Sequence, residues 1–383
     1  MPTAPLALRA DYFEARRSEI LDTSRQLVEI ESPTDSKPAV DHLSELLAKR
    51  FSHLGGRVKF HCEKAAGDHL QVDFQGRNSG KPVLLLGHLD TVYPLGTLSS
   101  MPWRISKGRA FGPGIFDMKS GIAFMLHAME GLQATFGDLP RPVTILLVSD
   151  EETGSDTSRR ITQNLARKCV AVLVLEPSYG DRGAVKTARK GVGEYTLTVT
   201  GQASHSGLDF EKGQSAVVEL AKQIIEITRL TDLKRGITLN PAMVKGGTRV
   251  NVIPASASLA LDVRIAKLKD ARGIDRKLRA LKPFNRKCKL EITGGINRPP
   301  MERTRPVIEL YDKARAIAAQ LGWKLEEAAV GGGSDGNFTA ALGLPTLDGL
   351  GGVGEGAHAP HESVVISELP KRTALLANLI ASI

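Results

Sequence analysis

The 383-residue chain has no apolar run approaching the roughly 20 residues that a membrane span requires, so an integral membrane helix is not expected. Its start, Met1 to Ala10, has no basic segment followed by an apolar one, and no secretory signal is expected there. Cysteine is scarce. Cys62, Cys169 and Cys288 are odd in number and far apart, which leaves no CxxC metal site and fits reduced thiols in a cytoplasm. Internal repeats and low-complexity tracts are missing too. The net charge of +9 raises nucleic acid as a partner, but the basic residues are scattered. Their densest stretch, Arg264 to Lys289, holds a single aromatic, too few to stack successive bases. Leu268, Leu278 and Leu281 suggest instead an amphipathic helix with a solvated basic face. The charge leaves room only for a mild pull on small anionic substrates.

What is present is an ordinary globular composition, 42% apolar, over a length that makes two domains the default. Asp11 to Ile30 and Pro38 to Phe51 have apolar residues at helical spacing. Three apolar runs of buried-strand type follow: Val83 to Leu86, Val143 to Val148 and Val170 to Leu175. Between the first two, Ile122, Met125, Leu126 and Met129 mark a helix. Strands alternating with helices predict an α/β domain with a largely parallel sheet. Near Lys190 the pattern changes. Tyr195, Leu197 and Val199, then Leu259, Leu261, Val263 and Ile265, alternate with polar residues, as in strands with one wet face. A helix from about Gly213 to Arg229 lies between them. After Pro306 the α/β pattern resumes, with a helix to Leu321, a glycine-rich turn and a last helix from Ser367. The expected architecture is a three-layer αβα domain, residues 1–188 and 298–383, interrupted by a small α+β domain over 189–297.

Each buried strand is followed by groups that bind metals. His88 and Asp90 follow the first, Asp150, Glu151 and Glu152 the second, and Glu176 the third. In doubly wound sheets ligands bind beyond the carboxyl ends of the strands, so these groups should gather at one edge. Asp117 stands in a turn just before a helix, and His358 in a glycine-rich loop. Taken singly, a histidine after a strand is more often a structural hydrogen-bonder, and an acidic pair more often a surface loop; their joint placement at strand ends is what points to a site. Imidazole and carboxylate without thiolate suit zinc or a related divalent ion in an open, catalytic site. One carboxylate can serve two ions through its two oxygens, and such a pair polarises a carbonyl and acidifies a water. The adjacent Glu151 and Glu152 can supply one ligand and one base.

The stretches Gly87-His88-Leu89-Asp90-Thr91-Val92, Gly112 to Gly121 (GPGIFDMKSG) and Asp150-Glu151-Glu152-Thr153-Gly154-Ser155 resemble the dinuclear zinc amidohydrolase/peptidase family, which includes glutamate carboxypeptidases, acetylornithine deacetylases and succinyl-diaminopimelate desuccinylases. The resemblance runs over nearly the whole chain. It implies two zinc ions per subunit, with cobalt or manganese as substitutes. His88 and Glu176 would bind one ion and Glu152 and His358 the other, with Asp117 between them. Glu151 would be the general base and Asp90 the residue that orients His88. It also implies a cis peptide at Asp117–Met118, a ferredoxin-like lid and a homodimer formed through that lid. Gly201-Gln202-Ala203-Ser204-His205-Ser206-Gly207 is similar to the lid motif whose histidine stabilises an oxyanion in the partner subunit's site. Leu261-Asp262-Val263-Arg264 is similar to the lid strand whose arginine grips the substrate carboxylate, a task that suits guanidinium. Asn251, Arg298 and Gly333, the last within Gly331-Gly332-Gly333-Ser334-Asp335, are candidates for the substrate side. The implied function is cytoplasmic hydrolysis of an amide or peptide bond next to a free carboxylate, nearest the glutamate carboxypeptidases. N-acyl amino acid deacylation is the alternative.

Three patterns compete. Gly349-Leu350-Gly351-Gly352-Val353-Gly354 fits GxGxxG, but no helix opens on its last glycine. His358-Ala359-Pro360-His361-Glu362 is not HxxEH, and Pro360 would break a helix, so His361 reads as structural. Gly332-Gly333-Ser334-Asp335-Gly336 fits the GxSxG elbow of serine hydrolases, with Asp348 and His358 following in the right order. That reading leaves His88, Asp117, Glu151, Glu152 and Glu176 unexplained. A non-catalytic binding module is a further alternative, but such a relative would normally lack the base or a ligand, and every expected position is filled.

Overall fold

The computed structural model describes residues 6–383, in two compact units. The first consists of the chain to Ala188 together with Arg303–Ala329 and Ser334–Ile383, the second of Arg189–Glu302 and Val330–Gly333.

The first unit is built on a six-stranded sheet in the order Arg57–His61, His69–Phe74, Val143–Val148, Val83–His88, Ala171–Val174, Thr346–Leu347. The last four strands run parallel, and the two at the near edge are antiparallel. Val83–His88 is central. The chain leaves it for Val143–Val148 on one side and then crosses to Ala171–Val174 on the other. Crossovers between parallel strands are right-handed, so successive helices fall on opposite faces. The buried side chains record the result. Val83, Leu85, Ile145, Leu147 and Leu173 belong to the larger core with the helices Arg17–Val28, Ser120–Phe136 and Leu369–Ser382. Their alternates Leu84, Leu86, Leu146, Val148, Val172 and Val174 form a smaller core with Ala166, beside Ile161 and Leu165 of the helix Arg159–Ala166. Strand residues alternate faces, and here both faces are covered. The fold is therefore a three-layer αβα sandwich.

Several local details differ from the periodicity. The expected first helix is two, Ala10–Glu14 and Arg17–Val28. The first central strand extends to His88 itself. Arg57–His61 and a small antiparallel sheet of Arg104–Ser106, Arg109–Phe111, Gly354–Glu355 and Ser363–Val365 are too short or too exposed to carry a hydrophobic signal.

The second unit has the order strand Gly191–Thr200, helix Ala216–Thr228, strands Thr238–Gly246 and Ser256–Ile265, helix Leu268–Arg279 and strand Lys289–Arg298. The sheet is antiparallel throughout, in the order Thr238–Gly246, Ser256–Ile265, Gly191–Thr200, Lys289–Arg298. This is the ferredoxin-like arrangement. Tyr195, Leu197, Val199, Leu259, Leu261, Val263 and Ile265 face one core with Leu220, Ile227, Ile274 and Leu278 from the helices. Ser215 caps the first helix by accepting the N–H of Val218. Leu268 is exposed at the first position of the second helix, and Ile274 and Leu278 form the buried face instead.

Candidate metal centre

Beyond the carboxyl ends of the parallel strands, where the chain turns to opposite sides of Val83–His88, the segments of the first unit that carry Asp90, Asp117, Glu152, Glu176 and His358 converge. His88 is the last residue of its strand and is almost fully buried. Its Nδ1 lies 2.9 Å from the main-chain oxygen of Asp90 and its Nε2 3.1 Å from Oδ1 of Asp117 and 3.7 Å from Oε1 of Glu176. The other Asp117 oxygen, Oδ2, is 3.5 Å from Nε2 of His358, which also lies 3.1 Å from Oε2 of Glu152. Asp117 thus stands between two imidazoles, one oxygen toward each. The Asp117–Met118 peptide is cis, and His358 has a positive φ of 62°, a left-handed backbone uncommon for a non-glycine residue and concentrated at functional sites.

Among the described residues two sets of ligand atoms lie close enough together to hold an ion: His88, Glu151 and Glu176, and His88, Asp117 and Glu152. Their charges point the same way. Hydrogen bonds to Asp117 and Glu152 push the His358 imidazolium up to about 10. Burial would lower His88, but its bonds to Asp117 and Asp90 outweigh it and hold it well above its ordinary value. Burial would raise the Asp117 carboxyl, yet the two imidazoles keep it ionised and low. Burial raises Glu152 in spite of His358. Buried carboxylates this close require positive charge, and the imidazole and carboxylate donors fit a divalent cation, whose binding releases the imidazolium protons.

Asp90 serves more than one neighbour. Its Oδ1 is 3.6 Å from His88 Nδ1, beside its own carbonyl oxygen at 2.9 Å, so carboxylate and main chain both flank the ring. The carboxylate accepts the N–H of Glu151 at 3.3 Å and of Glu152 at 3.2 Å, and the Thr34 hydroxyl at 2.7 Å. It therefore fastens the turn Glu151–Thr153 to the end of the neighbouring strand. Asp150, next in sequence, takes no part in the cluster. Its Oδ2 accepts the amide and hydroxyl of Thr157 and the amide of Ser158, before the helix Arg159–Ala166.

The competing motifs resolve on geometry. The Ser334 hydroxyl is buried and donates directly to Asp348 at 2.5 Å, with no imidazole between them, while His358 faces Glu152 and Asp117. A serine triad needs the histidine against the serine. The glycines from Gly349 are there for close packing. A Cβ on Gly351 would come within 2.3 Å of the Leu175 carbonyl, and the buried Arg372 guanidinium donates to the carbonyls of Gly349, Gly351 and Gly183.

The remaining sequence candidates belong to the second unit. His205 is exposed, and its Nδ1 accepts the amides of Gly207 and Leu208. Asn251 is exposed, and its carbonyl accepts the Ser206 amide. Arg264 lies on the strand Ser256–Ile265 with its guanidinium forked on Asp262, at 2.9 and 2.7 Å. Arg298 is buried at the end of its strand, after a bulge. A Cβ on Gly333 would meet the Val192 side chain at 2.9 Å and that of Arg298 at 3.1 Å, so a larger residue there would have to displace them.

One buried group escaped the sequence reading. Glu362 accepts the main-chain N–H groups of Gly114, Phe116 and Asp117, holding the turn that presents Asp117. The only sequence hint is its place four residues after His358, in a segment that fails the HxxEH pattern.

A fold of this kind with an imidazole and carboxylate cluster at the sheet's switch point is that of a metal-dependent hydrolase. The chain matches peptidase family M20/M25/M40 over residues 84–382 and belongs to that family. It is 32% identical to carboxypeptidase G2 of Pseudomonas sp. (strain RS-16) over 96% of this chain and 91% of that one. It is 27% identical to the succinyl-diaminopimelate desuccinylase of Dechloromonas aromatica (strain RCB), covering 88% and 92% of the two chains. Its fold resembles that of the aminopeptidase PepT of Bacillus cereus ATCC 10987, with a TM-score of 0.80 and 21% identity over 96% and 98% of the chains. The protein is accordingly an enzyme, a hydrolase of the metallopeptidase and amidohydrolase class.

Proposed function

We propose that this enzyme is a zinc-dependent exopeptidase of the glutamate carboxypeptidase kind, cleaving an amide or peptide bond next to a free carboxylate. The observation that carries this is Asp117, with one oxygen 3.1 Å from His88 and the other 3.5 Å from His358. His88 and Glu176 would hold one ion, Glu152 and His358 the other, and Asp117 would serve both. Two ions held there supply Lewis acidity toward the scissile carbonyl and an acidified water, with zinc as the proposed metal and cobalt or manganese as substitutes.

The chain's own groups do the rest. The Glu151 carboxylate accepts a proton from the attacking water and returns it to the leaving nitrogen. Asp90, through the amides of Glu151 and Glu152, keeps base and ligand apart and correctly turned. Arg264 would exchange its internal partner Asp262 for the substrate's α-carboxylate, a bidentate match. Asn251, Arg298 and Gly333 would complete the substrate side. His205 would reach the partner subunit's site in a homodimer formed through the second unit, which fits its exposure. Among the described residues no helix is long and apolar enough to cross a membrane. The proposed substrates are small peptides or N-acyl amino acids, and the proposed compartment is the cytoplasm, where three unpaired cysteines stay reduced.

The desuccinylase relatives favour a second reading, deacylation of an N-acyl amino acid, which shares the metal chemistry and changes only the substrate. The test is hydrolysis of a panel of N-acyl amino acids and dipeptides, before and after chelation and with zinc restored. Zinc-restored cleavage of acyl-glutamates is expected. A preference for succinyl-diaminopimelate or acetylornithine would select the second reading. Full activity after proven metal removal would overturn both.

A further inference from the structure

Behind the candidate metal residues lies a carboxylate that the proposed reaction does not use. Glu362 is 1% exposed and sits in the loop between the strands Gly354–Glu355 and Ser363–Val365, the same loop that carries His358. Its Oε1 accepts the N–H of Phe116 at 2.8 Å and of Asp117 at 2.9 Å, and its Oε2 that of Gly114 at 2.9 Å. Main-chain N–H groups gathered around a left-handed residue form a concave anion site, and Gly114, with φ of 72°, supplies that residue. The Tyr93 hydroxyl, three residues beyond Asp90, has one proton to give, to the Ala359 carbonyl at 3.1 Å or to the Glu362 carboxylate beside it. The Gly112 amide donates back to the Glu362 carbonyl. Three loops are therefore tied to one side chain: the one after His88, the turn presenting Asp117 and the one presenting His358.

We propose that Glu362 is a positioning residue for metal binding, fixing the Asp117 turn and the His358 loop against each other so that the two Asp117 oxygens face the two imidazoles before a cation arrives. The proposal rests on reading Asp117 and His358 as metal ligands. Charge and acceptor count both matter. Glu362→Gln keeps the size of the side chain but turns an amide NH₂ toward main-chain N–H donors that now meet an oxygen, so the turn must shift. Glu362 acts in this scheme through main-chain groups of the Asp117 turn and of its own loop. Residues placed behind metal ligands in this way typically change affinity about 10–100-fold when removed.

The experiment is titration of the metal-free enzyme with Zn²⁺ in competition with a chromophoric chelator, alongside thermal unfolding of the same metal-free samples. Wild type is expected to take two ions per chain. Glu362→Gln is expected to bind about 10–100-fold more weakly at one or both positions, with the secondary structure by circular dichroism unchanged. Tyr93→Phe retains the carboxylate and removes one donor, and a smaller weakening is expected. Wild-type affinity in Glu362→Gln with only a lowered melting temperature would make Glu362 a purely structural carboxylate and overturn the proposal. Should Glu362→Gln fail to fold, unaltered affinity in Tyr93→Phe would overturn it instead. A wild type that binds no Zn²⁺ would overturn the reading of the ligands, and the proposal with it.

Discussion

The two units hold their candidate functional residues in opposite ways. In the first, His88, Asp90, Asp117, Glu152 and Glu176 are buried or nearly so, with His358 exposed as the exception, and each of His88, Asp90 and Asp117 is fixed by partners from at least two separate loops. In the second, Arg298 is buried, but His205 and Asn251 are exposed, and Arg264 is held by a neighbour two residues away on its own strand. Chemistry that depends on sub-ångström placement is built into a crowded, overdetermined cleft, where the ligands cannot relax apart. Under the proposed assignment, recognition of a substrate that comes and goes falls to side chains whose present partners are local and replaceable. The hydrophobic cores follow the same division: the first unit covers both faces of its sheet, the second only one.

That contrast can be broken at several points, beginning with the largest effect. Glu151→Ala should lower kcat by about 10²–10⁴ while metal content by elemental analysis stays near two ions per chain. A fully active variant would remove Glu151 as the base. Truncation in the core of the second unit, Leu259→Ala at a fully buried strand position, should cost about 2–5 kcal/mol in denaturant unfolding. If the units unfold separately, the Zn²⁺ affinity of the first should survive that loss; a parallel loss of Zn²⁺ binding would show that the ligand cluster depends on the second unit. Arg264→Ala should raise KM for substrates with a free α-carboxylate, by roughly 2 kcal/mol or more in kcat/KM, and leave Zn²⁺ affinity alone. An unchanged preference for carboxylate-bearing substrates would move recognition elsewhere. The smallest effect is a labelling count. Cys62 is exposed, although Asp68 beside it raises its thiol; Cys169 and Cys288 are buried, and burial pushes the Cys169 thiol up to about 12 and also raises Cys288. One thiol per native chain should therefore react promptly with a disulfide reagent at pH 8, and three after unfolding. Prompt reaction of Cys169 would mean that the smaller core of the first unit opens locally.

Much of the first unit was legible from local pattern alone. The runs Val143 to Val148 and Val83 to Leu86 are strands because each is apolar at consecutive positions and both sheet faces are covered. Arg57–His61 was not legible, because its side chains are mostly exposed and it joins the sheet through main-chain hydrogen bonds. The helix over Leu268–Arg279 was legible as amphipathic, but Leu268 at its first turn is exposed, since a helix end lies beyond the reach of the sheet. The cluster of imidazole and carboxylate at the strand ends was legible as well, because a parallel sheet delivers whatever follows its strands to one edge.

The sequence by itself determined the class of fold, the chemical type of the centre and the residues that could compose it, because hydrophobic period and residue type are local properties. Tertiary structure decided what those residues do to one another. It set Asp117 between two imidazoles, assigned the Asp90 carboxylate to the turn of Glu151 and Glu152, paired Ser334 with Asp348 and placed Glu362 beneath the Asp117 turn. Each of these joins positions between 14 and 248 residues apart, or turns a side chain from one neighbour to another at similar distance. Such choices follow from how loops close over a packed sheet, and no run of neighbouring residues contains them.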